Sequence, residues 1–576
     1  MRRAVRVTTV RAARIRRPPG SIPDPMDRTL PRRTVRIAVR GATFGSLRHR
    51  VVAGCCALLL LAPASAAAAQ AAASPDDGGS GRLDPRITEI MRKPDYPNAR
   101  WGLLQQDPDS GRVVHSRLAE QLFVPGSVAK LFGTSGAWNA LGGDHRFRTP
   151  VYAVGERRGS TLDGDLGLVA QGDLTMGGRT RPDGTVDYTD LDHTYANDFP
   201  GATLTPQDPL AGIDRIARQV RRSGITRVEG NVIVDNRLFK PEPVFVPVPT
   251  PLIINDNLVD LLTTPGARTG APARLDWRPR VAPYRVTSTV RTVAAGEPTD
   301  IEVTTSDNGT RIRLSGTIAA GSEPALKVSP IGDPAAFGRT ALIEALERAG
   351  VEVTASPTGA NPVGRLPGSY EGRPRVALYT SPPYAQYAKL IFKVSHNLGG
   401  NLAVCLMAVT AGSKDCMDGF PVLADFLGRA GVDREQVQLL DGRGGNPVDR
   451  TTPEAVVQLL TYWHHTPEAE AFRNALPVLG VDGLLADNCT DCPARGKVFA
   501  KTGAAVGLDA LNNRLAVGAI TIAGYLDRGN GRFDVFFAGV NGASTPTTDV
   551  NGVLDIADDL AMVSAYLQEA AARRED

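Results

Sequence analysis

The chain has 576 residues, with 65 Lys+Arg against 61 Asp+Glu, 42% hydrophobic residues and 6% aromatic ones. That length implies two to four domains with ample apolar core, and the even 22% charged fraction excludes a largely disordered chain, a coiled coil and a multi-span membrane protein. The net charge of +4 hides an asymmetry: residues 1–73 carry 14 Arg against Asp24 and Asp27, a balance of +12 that leaves −8 for residues 74–576, so the body is not built to bind nucleic acid.

The basic N-terminal stretch reads as an export leader. Arg48 and Arg50 precede Val51–Ala57 and the run Leu58–Leu61, and Ala64-Ser65-Ala66 then supplies a small-x-small cleavage site. Ala-rich sequence makes a weak spanning helix, so cleavage is expected rather than retention as an anchor, leaving an exported envelope or extracytoplasmic protein with no stable membrane span. Residues 1–73 form this leader and 74–84 a polar, Gly-rich linker. Outside the leader stand Cys405, Cys416, Cys489 and Cys492. An exported chain favours one or two structural disulfides among them, and sequence does not choose between the three pairings. Cys489-Thr490-Asp491-Cys492 has no second ligand pair, so no metal is expected there.

After the linker, Trp101–Gln106 and Arg112–Ser116 flank the turn Asp107–Gly111 as a β-hairpin, and a helix follows over Ser127–Leu141 behind Pro125-Gly126. From Thr149 to Arg365 the texture shifts to short β-like runs, such as Leu166–Gln171, Val228–Asp235, Arg285–Val293 and Ile301–Thr305. The amphipathic helix Pro334–Ala349 interrupts them. Helical period returns over Tyr384–Val409 and Gly419–Ala430. Strands Arg514–Ile522 and Phe533–Val540 come late, before a helix over Asp549–Ala571. The fold class is therefore α/β (α+β): a discontinuous domain, 85–148 with 366–576, split by a β-rich insertion at 149–365 whose inner part spans about 276–330.

Three short motifs could carry chemistry. In Ser127-Val128-Ala129-Lys130, positions i and i+3 at a helix start place an amine one turn above a hydroxyl, where it can accept that hydroxyl's proton if burial depresses its pKa. Ser395-His396-Asn397, set within the helical stretch Lys389–Val409, offers a proton-relaying hydroxyl and a side-chain amide. Lys501-Thr502-Gly503 precedes small residues and a strand, with a cation and hydroxyl suited to a carboxylate and a glycine that permits close approach. Each alone is weak. Yet only nine lysines stand among 56 arginines, and two of the nine fall in these motifs; a chain that writes Arg for charge keeps Lys where an amine must titrate.

Together these motifs resemble those of penicillin-binding proteins and class A β-lactamases. The chain most resembles D-alanyl-D-alanine carboxypeptidases/endopeptidases of the penicillin-binding-protein-4 type, from about Ala99 to Gly542. Further likeness lies in Val124–Ser127, Gln171–Thr175, Gly230–Asp235, Asn255–Asp260, Lys393–Leu398 and Leu476–Gly483. The separation of 268 positions from Ser127 to Ser395 suits this family, which places extra domains there, and not class A enzymes. The resemblance implies a serine DD-peptidase/β-lactamase-like fold, with an antiparallel sheet flanked by helices. It implies Ser127 as acylated nucleophile and Lys130 as proton acceptor, with Ser395 and Lys501 completing the proton network. Asn397 would hold the substrate amide, Thr502 the terminal carboxylate, and the N–H groups of Ser127 and Ala504, beside Gly503, the oxyanion. It implies peptidoglycan stem peptides and β-lactams as partners, and no cofactor.

Three departures qualify the likeness. His396 stands where the family has Asp or Asn, Ala504 where it has Thr, and Arg443, in Asp441-Gly442-Arg443-Gly444-Gly445, where it has Ser. Competing readings are an inactive envelope scaffold with the same fold, which the intact Ser127, Lys130, Ser395, Asn397 and Lys501 oppose, and a β-lactamase. The latter needs an efficient deacylating group, and Glu435 lacks the pattern around such a residue. No Gly-x-Ser-x-Gly or His-Glu-x-x-His occurs, which disfavours a Ser-His-Asp hydrolase and a metalloenzyme.

Overall fold

The computed structural model describes residues 82–574; the expected leader, its Cys55 and Cys56 and most of the linker lie outside them. The central sheet is antiparallel, in the order Val498–Asp509, Arg514–Gly529, Arg532–Asn541, Arg100–Gln106 and Val113–Arg117, with the short Ala543–Ser544 added beside Arg514–Gly529. Alternation of side chains sends Leu103, Ile522 and Phe536 to one face and Leu104, Ala523 and Phe537 to the other. On the first face pack Ile87 of helix Pro85–Met91 and Val553, Ile556, Leu560 and Val563 of the terminal helix Asn551–Ala572. On the second lies a larger helical layer that includes Lys130–Leu141, Tyr384–Lys393, Asn397–Thr410, Gly419–Arg429 and Pro453–His464. With both faces covered, the sheet is a rigid wall, and its edge strand Val498–Asp509 carries the Lys-Thr-Gly motif past the start of Lys130–Leu141.

The chain between these parts builds other sheets. Strand Arg146–Arg158 pairs antiparallel with Arg375–Pro383, Thr149 facing Tyr379, so the chain leaves and returns on neighbouring strands. They continue a six-stranded sheet with Thr161–Val169, Val232–Asp235, Arg227–Val228 and Glu352–Val353. Leu258–Thr264, Arg274–Arg278 and Ala325–Pro330 form a three-stranded sheet; Arg285–Ser288, Arg291–Val293, Asp300–Ser306 and Arg311–Ala319 form a four-stranded one. This region holds two α-helices rather than the single one expected. Besides Pro334–Arg348 there is Ala211–Arg222, whose Ile213, Ile216, Ala217 and Val220 recur at helical spacing and are buried against the same core.

One correction falls on the second motif. The expected continuous helix over Lys389–Val409 is broken: Tyr384–Lys393 ends, and Asn397–Thr410 begins, with Ser395 between them at φ 57°. The bulk of that helix is so apolar that its period runs on across the break, and nothing local announces a serine in the left-handed region. Cysteines 405 and 416 are bonded to each other, as are 489 and 492; the first bridge ties Asn397–Thr410 to the turn before Gly419–Arg429. Among the described residues no helix is long and apolar enough to cross a membrane.

Candidate active site

Ser127 sits in the single 3₁₀ turn Gly126–Ala129 that leads into Lys130–Leu141, so the serine and the first α-helical lysine share one face. Lys130 is fully buried. Its Nζ lies 2.7 Å from Ser127 Oγ, 2.8 Å from Asn397 Oδ1 and 2.9 Å from the Arg443 carbonyl oxygen. Burial holds this amine well below its ordinary 10.5, helped by the Lys501 and Arg443 charges and opposed by Asp441. A neutral amine has two N–H groups and one lone pair. Asn397 Oδ1 and the Arg443 carbonyl can only accept, so they take the two N–H groups, and the lone pair is left facing the Ser127 hydroxyl. This accounting leaves Lys130 a lone pair that can accept a proton from one named oxygen.

The Arg443 carbonyl is set by its loop. The Asp441 carboxylate accepts from the N–H groups of Arg443 (2.9 Å) and Gly444 (2.7 Å), and Asn401 Oδ1 accepts from Gly442 N–H at 3.0 Å. The Arg443 side chain turns back toward Asp441, with Nε 3.3 Å from Oδ2. What the sequence offered here was a cation; what the site uses directly is a backbone oxygen, which no residue type announces.

The third motif closes the opposite wall. Lys501 is fully buried, its Nζ donates to the Thr502 carbonyl at 2.6 Å, and burial lowers it to about 7. It reaches Lys130 through charge rather than a direct hydrogen bond. Gly503 is required by close approach: a Cβ there would come 2.8 Å from Ser127 N and 2.4 Å from the Pro125 carbonyl. Gly126 is needed likewise, at φ 50°, where a Cβ would lie 2.6 Å from Ala504 N. The backbone amides of Ser127 and Ala504 thus lie on adjoining stretches of chain, pinned together by Thr521 Oγ1, which donates to the Pro125 carbonyl at 2.6 Å. Ser127, Asn397, Arg443 and Thr502 are half-buried and Ala504 is exposed, so they line an open cleft.

The structure therefore brings Ser127, Lys130 and Asn397 into direct contact, sets Thr502, Gly503 and Ala504 alongside, and links Lys501 by charge. Ser395, 3% exposed, enters through the backbone: its carbonyl accepts from Tyr195 Oη at 2.5 Å, two residues before Asn397. His396 turns away from the cleft and is fully buried. Its Nδ1 accepts from Gly399 N–H at 2.9 Å, capping Asn397–Thr410, and its Nε2 meets Asp256 Oδ1 at 3.0 Å. Tyr195 and Asp256 went unnoticed in the sequence. Asp256 stood within a stretch that resembled the family, but its partner lies 140 residues away.

A serine hydroxyl beside a depressed amine, with a side-chain amide and two backbone N–H groups at the edge of an antiparallel sheet, is an arrangement suited to an acyl-transferring serine peptidase. Residues 83–558 match the model of the D-Ala-D-Ala carboxypeptidase 3 (S13) family, and the chain belongs to that family. It is 26% identical over 454 residues to a D-alanyl-D-alanine carboxypeptidase of Actinomadura sp. (strain R39), covering 74% of this chain and 77% of that protein. It is 21% identical over 472 residues to penicillin-sensitive carboxypeptidase A of Dictyostelium discoideum, covering 79% and 86%. The crystal structure of penicillin binding protein 4 from Haemophilus influenzae superposes with a TM-score of 0.61 at 17% identity, covering 84% of this chain and 99% of that one, so the two share a fold.

Proposed function

We propose that this serine-type D-Ala-D-Ala carboxypeptidase/endopeptidase works through an acyl-enzyme on Ser127, with the residue roles that the cleft geometry supports. Lys130 takes the Ser127 proton as Oγ bonds to the scissile carbonyl carbon; the oxyanion rests on the N–H groups of Ser127 and Ala504. As the C–N bond breaks, a proton returned through Lys130, Ser395 and Lys501 leaves with the departing amine. Water then attacks the ester, releasing the shortened peptide and restoring the Ser127 hydroxyl. Asn397, whose Oδ1 is engaged by Lys130, presents its amino group to the substrate carbonyl, and Thr502 receives the terminal carboxylate. The substrates are peptidoglycan stem peptides, and β-lactams acylate the same serine. The polypeptide is exported by its leader, and its catalytic part, 85–148 with 366–576, is interrupted by 149–365.

The observation that carries this reading is the 2.7 Å approach of a fully buried lysine amine to Ser127 Oγ, its other two neighbours being pure acceptors. Intact-mass measurement with and without a penicillin tests it. One adduct is expected, mapping to Ser127 and absent in Ser127→Ala; an adduct on another residue, or one persisting in that variant, contradicts the reading.

A further inference from the structure

Ser395 is held at φ 57°, a conformation that a residue with a side chain keeps only when its surroundings fix it. Two of those surroundings come from the interrupting segment. Tyr195 closes a 3₁₀ turn, His193–Tyr195, and donates to the Ser395 carbonyl. Asp256, in the left-handed turn Asn255–Asn257, accepts from His396, whose Nδ1 is occupied by Gly399 N–H and whose proton therefore sits on Nε2.

Behind these contacts stands a buried ionic cluster. Asp256 Oδ2 accepts from Arg179 at 2.7 Å and from His193 Nε2 at 2.7 Å. Arg179 also grips Asp192 through both amino groups, at 2.6 and 3.0 Å. His193 Nδ1 donates to Asp260 at 2.6 Å, and Asp260 takes a third cation, Arg278, at 3.1 Å. Three cations meet three carboxylates, so the cluster neutralises itself without His396. The bond to His396 is therefore not needed for charge balance. What it does is fix the ring orientation at the residue between Ser395 and Asn397.

We propose, resting on the acyl-enzyme reading above, that Asp256 and Tyr195 are positioning residues that hold Ser395 and Asn397 in their working geometry. Neither touches substrate; each acts through the second motif. The segment at 149–365 thus supplies the back wall of the active site as well as its own sheets, and the arginine–histidine–aspartate cluster keeps that wall from moving.

The test is a double-mutant cycle read as the rate of acylation by a fluorescent penicillin. Tyr195→Phe, which loses one well-placed hydrogen bond, and Asp256→Asn, which sets an amino group against Arg179, His193 or His396, should each slow acylation by about tenfold to a hundredfold. In a background that carries both Ser395→Ala and Asn397→Ala each should change the residual rate by less than about twofold, because the side chains it positions are gone. Equal losses in both backgrounds would mark a general folding role and overturn the proposal, as would wild-type rates in Tyr195→Phe. If Asp256→Asn does not fold, Tyr195→Phe decides, since it removes one oxygen and leaves the ionic cluster intact. A wild-type chain that penicillin leaves unmodified would overturn the acyl-enzyme reading itself; a labelled wild type with unaffected variants overturns only the positioning.

Discussion

Two buried clusters of charge lie close together and are treated in opposite ways. In the cleft, Lys130 and Lys501 are enclosed without a carboxylate within hydrogen-bond distance of either amine among the described residues, and burial drives both toward the neutral amine. In the interrupting segment, Arg179 and His193 are enclosed with Asp192, Asp256 and Asp260. Opposite charges outweigh burial there: the carboxylates raise His193 to about 10, while the cations, Arg179 foremost, hold Asp192 and Asp256 below their ordinary range. Uncompensated burial yields a base with a free lone pair; compensated burial yields a scaffold. His396 is where the two meet, its ring bonded to Asp256 behind it and capping the helix that carries Asn397.

The comparison breaks first on stability. His193→Phe removes the cation between Asp256 and Asp260 and should cost about 3–5 kcal/mol at pH 6, measured by urea unfolding. The group is raised from 6.5 to about 10, so its contribution is fully present below 6.5 and is lost as pH rises through 10. The deficit of His193→Phe should therefore shrink by about 1.4 kcal/mol per pH unit across that window.

Lys501→Met sharpens the contrast because its sign is reversed. The folded amine is depressed from 10.5 to about 7, so between those values the unfolded chain binds more protons and wild-type stability rises with pH. The variant should be more stable than wild type near pH 7, and its advantage should shrink by about 1.4 kcal/mol per pH unit toward 10.5. Unfolding series at pH 7, 8, 9 and 10 check both slopes, and two slopes of the same sign would end the distinction. The smallest effect belongs to Thr502→Ala, which leaves both clusters untouched. Losing one hydrogen bond to a carboxylate costs about 1.5–3 kcal/mol, so acylation should slow by about tenfold to a hundredfold without a change in its pH dependence.

These differences also mark what the sequence could reveal. Ser127, Lys130, Asn397 and Lys501 could be picked out because each stands in a short local pattern that suits the proposed chemistry, and the hairpin at Trp101 and the helix at Pro334 because turn and capping residues announce them. The helix Ala211–Arg222 had a readable signal in Ile213, Ile216 and Val220, lost in a region whose glycines and prolines suggested strands throughout. The break at Ser395 was not legible, since its conformation is imposed by Tyr195 and by His396 on Asp256, contacts made across 200 and 140 residues. The Arg443 carbonyl was invisible for a different reason: every residue has one, and only the fold selects which faces the lysine.

The central claim is that Lys130 serves by its lone pair and not by its charge. Lys130→Arg tests it most directly, because a guanidinium keeps the cation but does not deprotonate in proteins. Acylation by a fluorescent penicillin, timed against wild type, should fall by about 10²–10⁴-fold, the usual contribution of a positioned base. Labelling at the wild-type rate would contradict the claim and leave Ser127 to be activated by some other group.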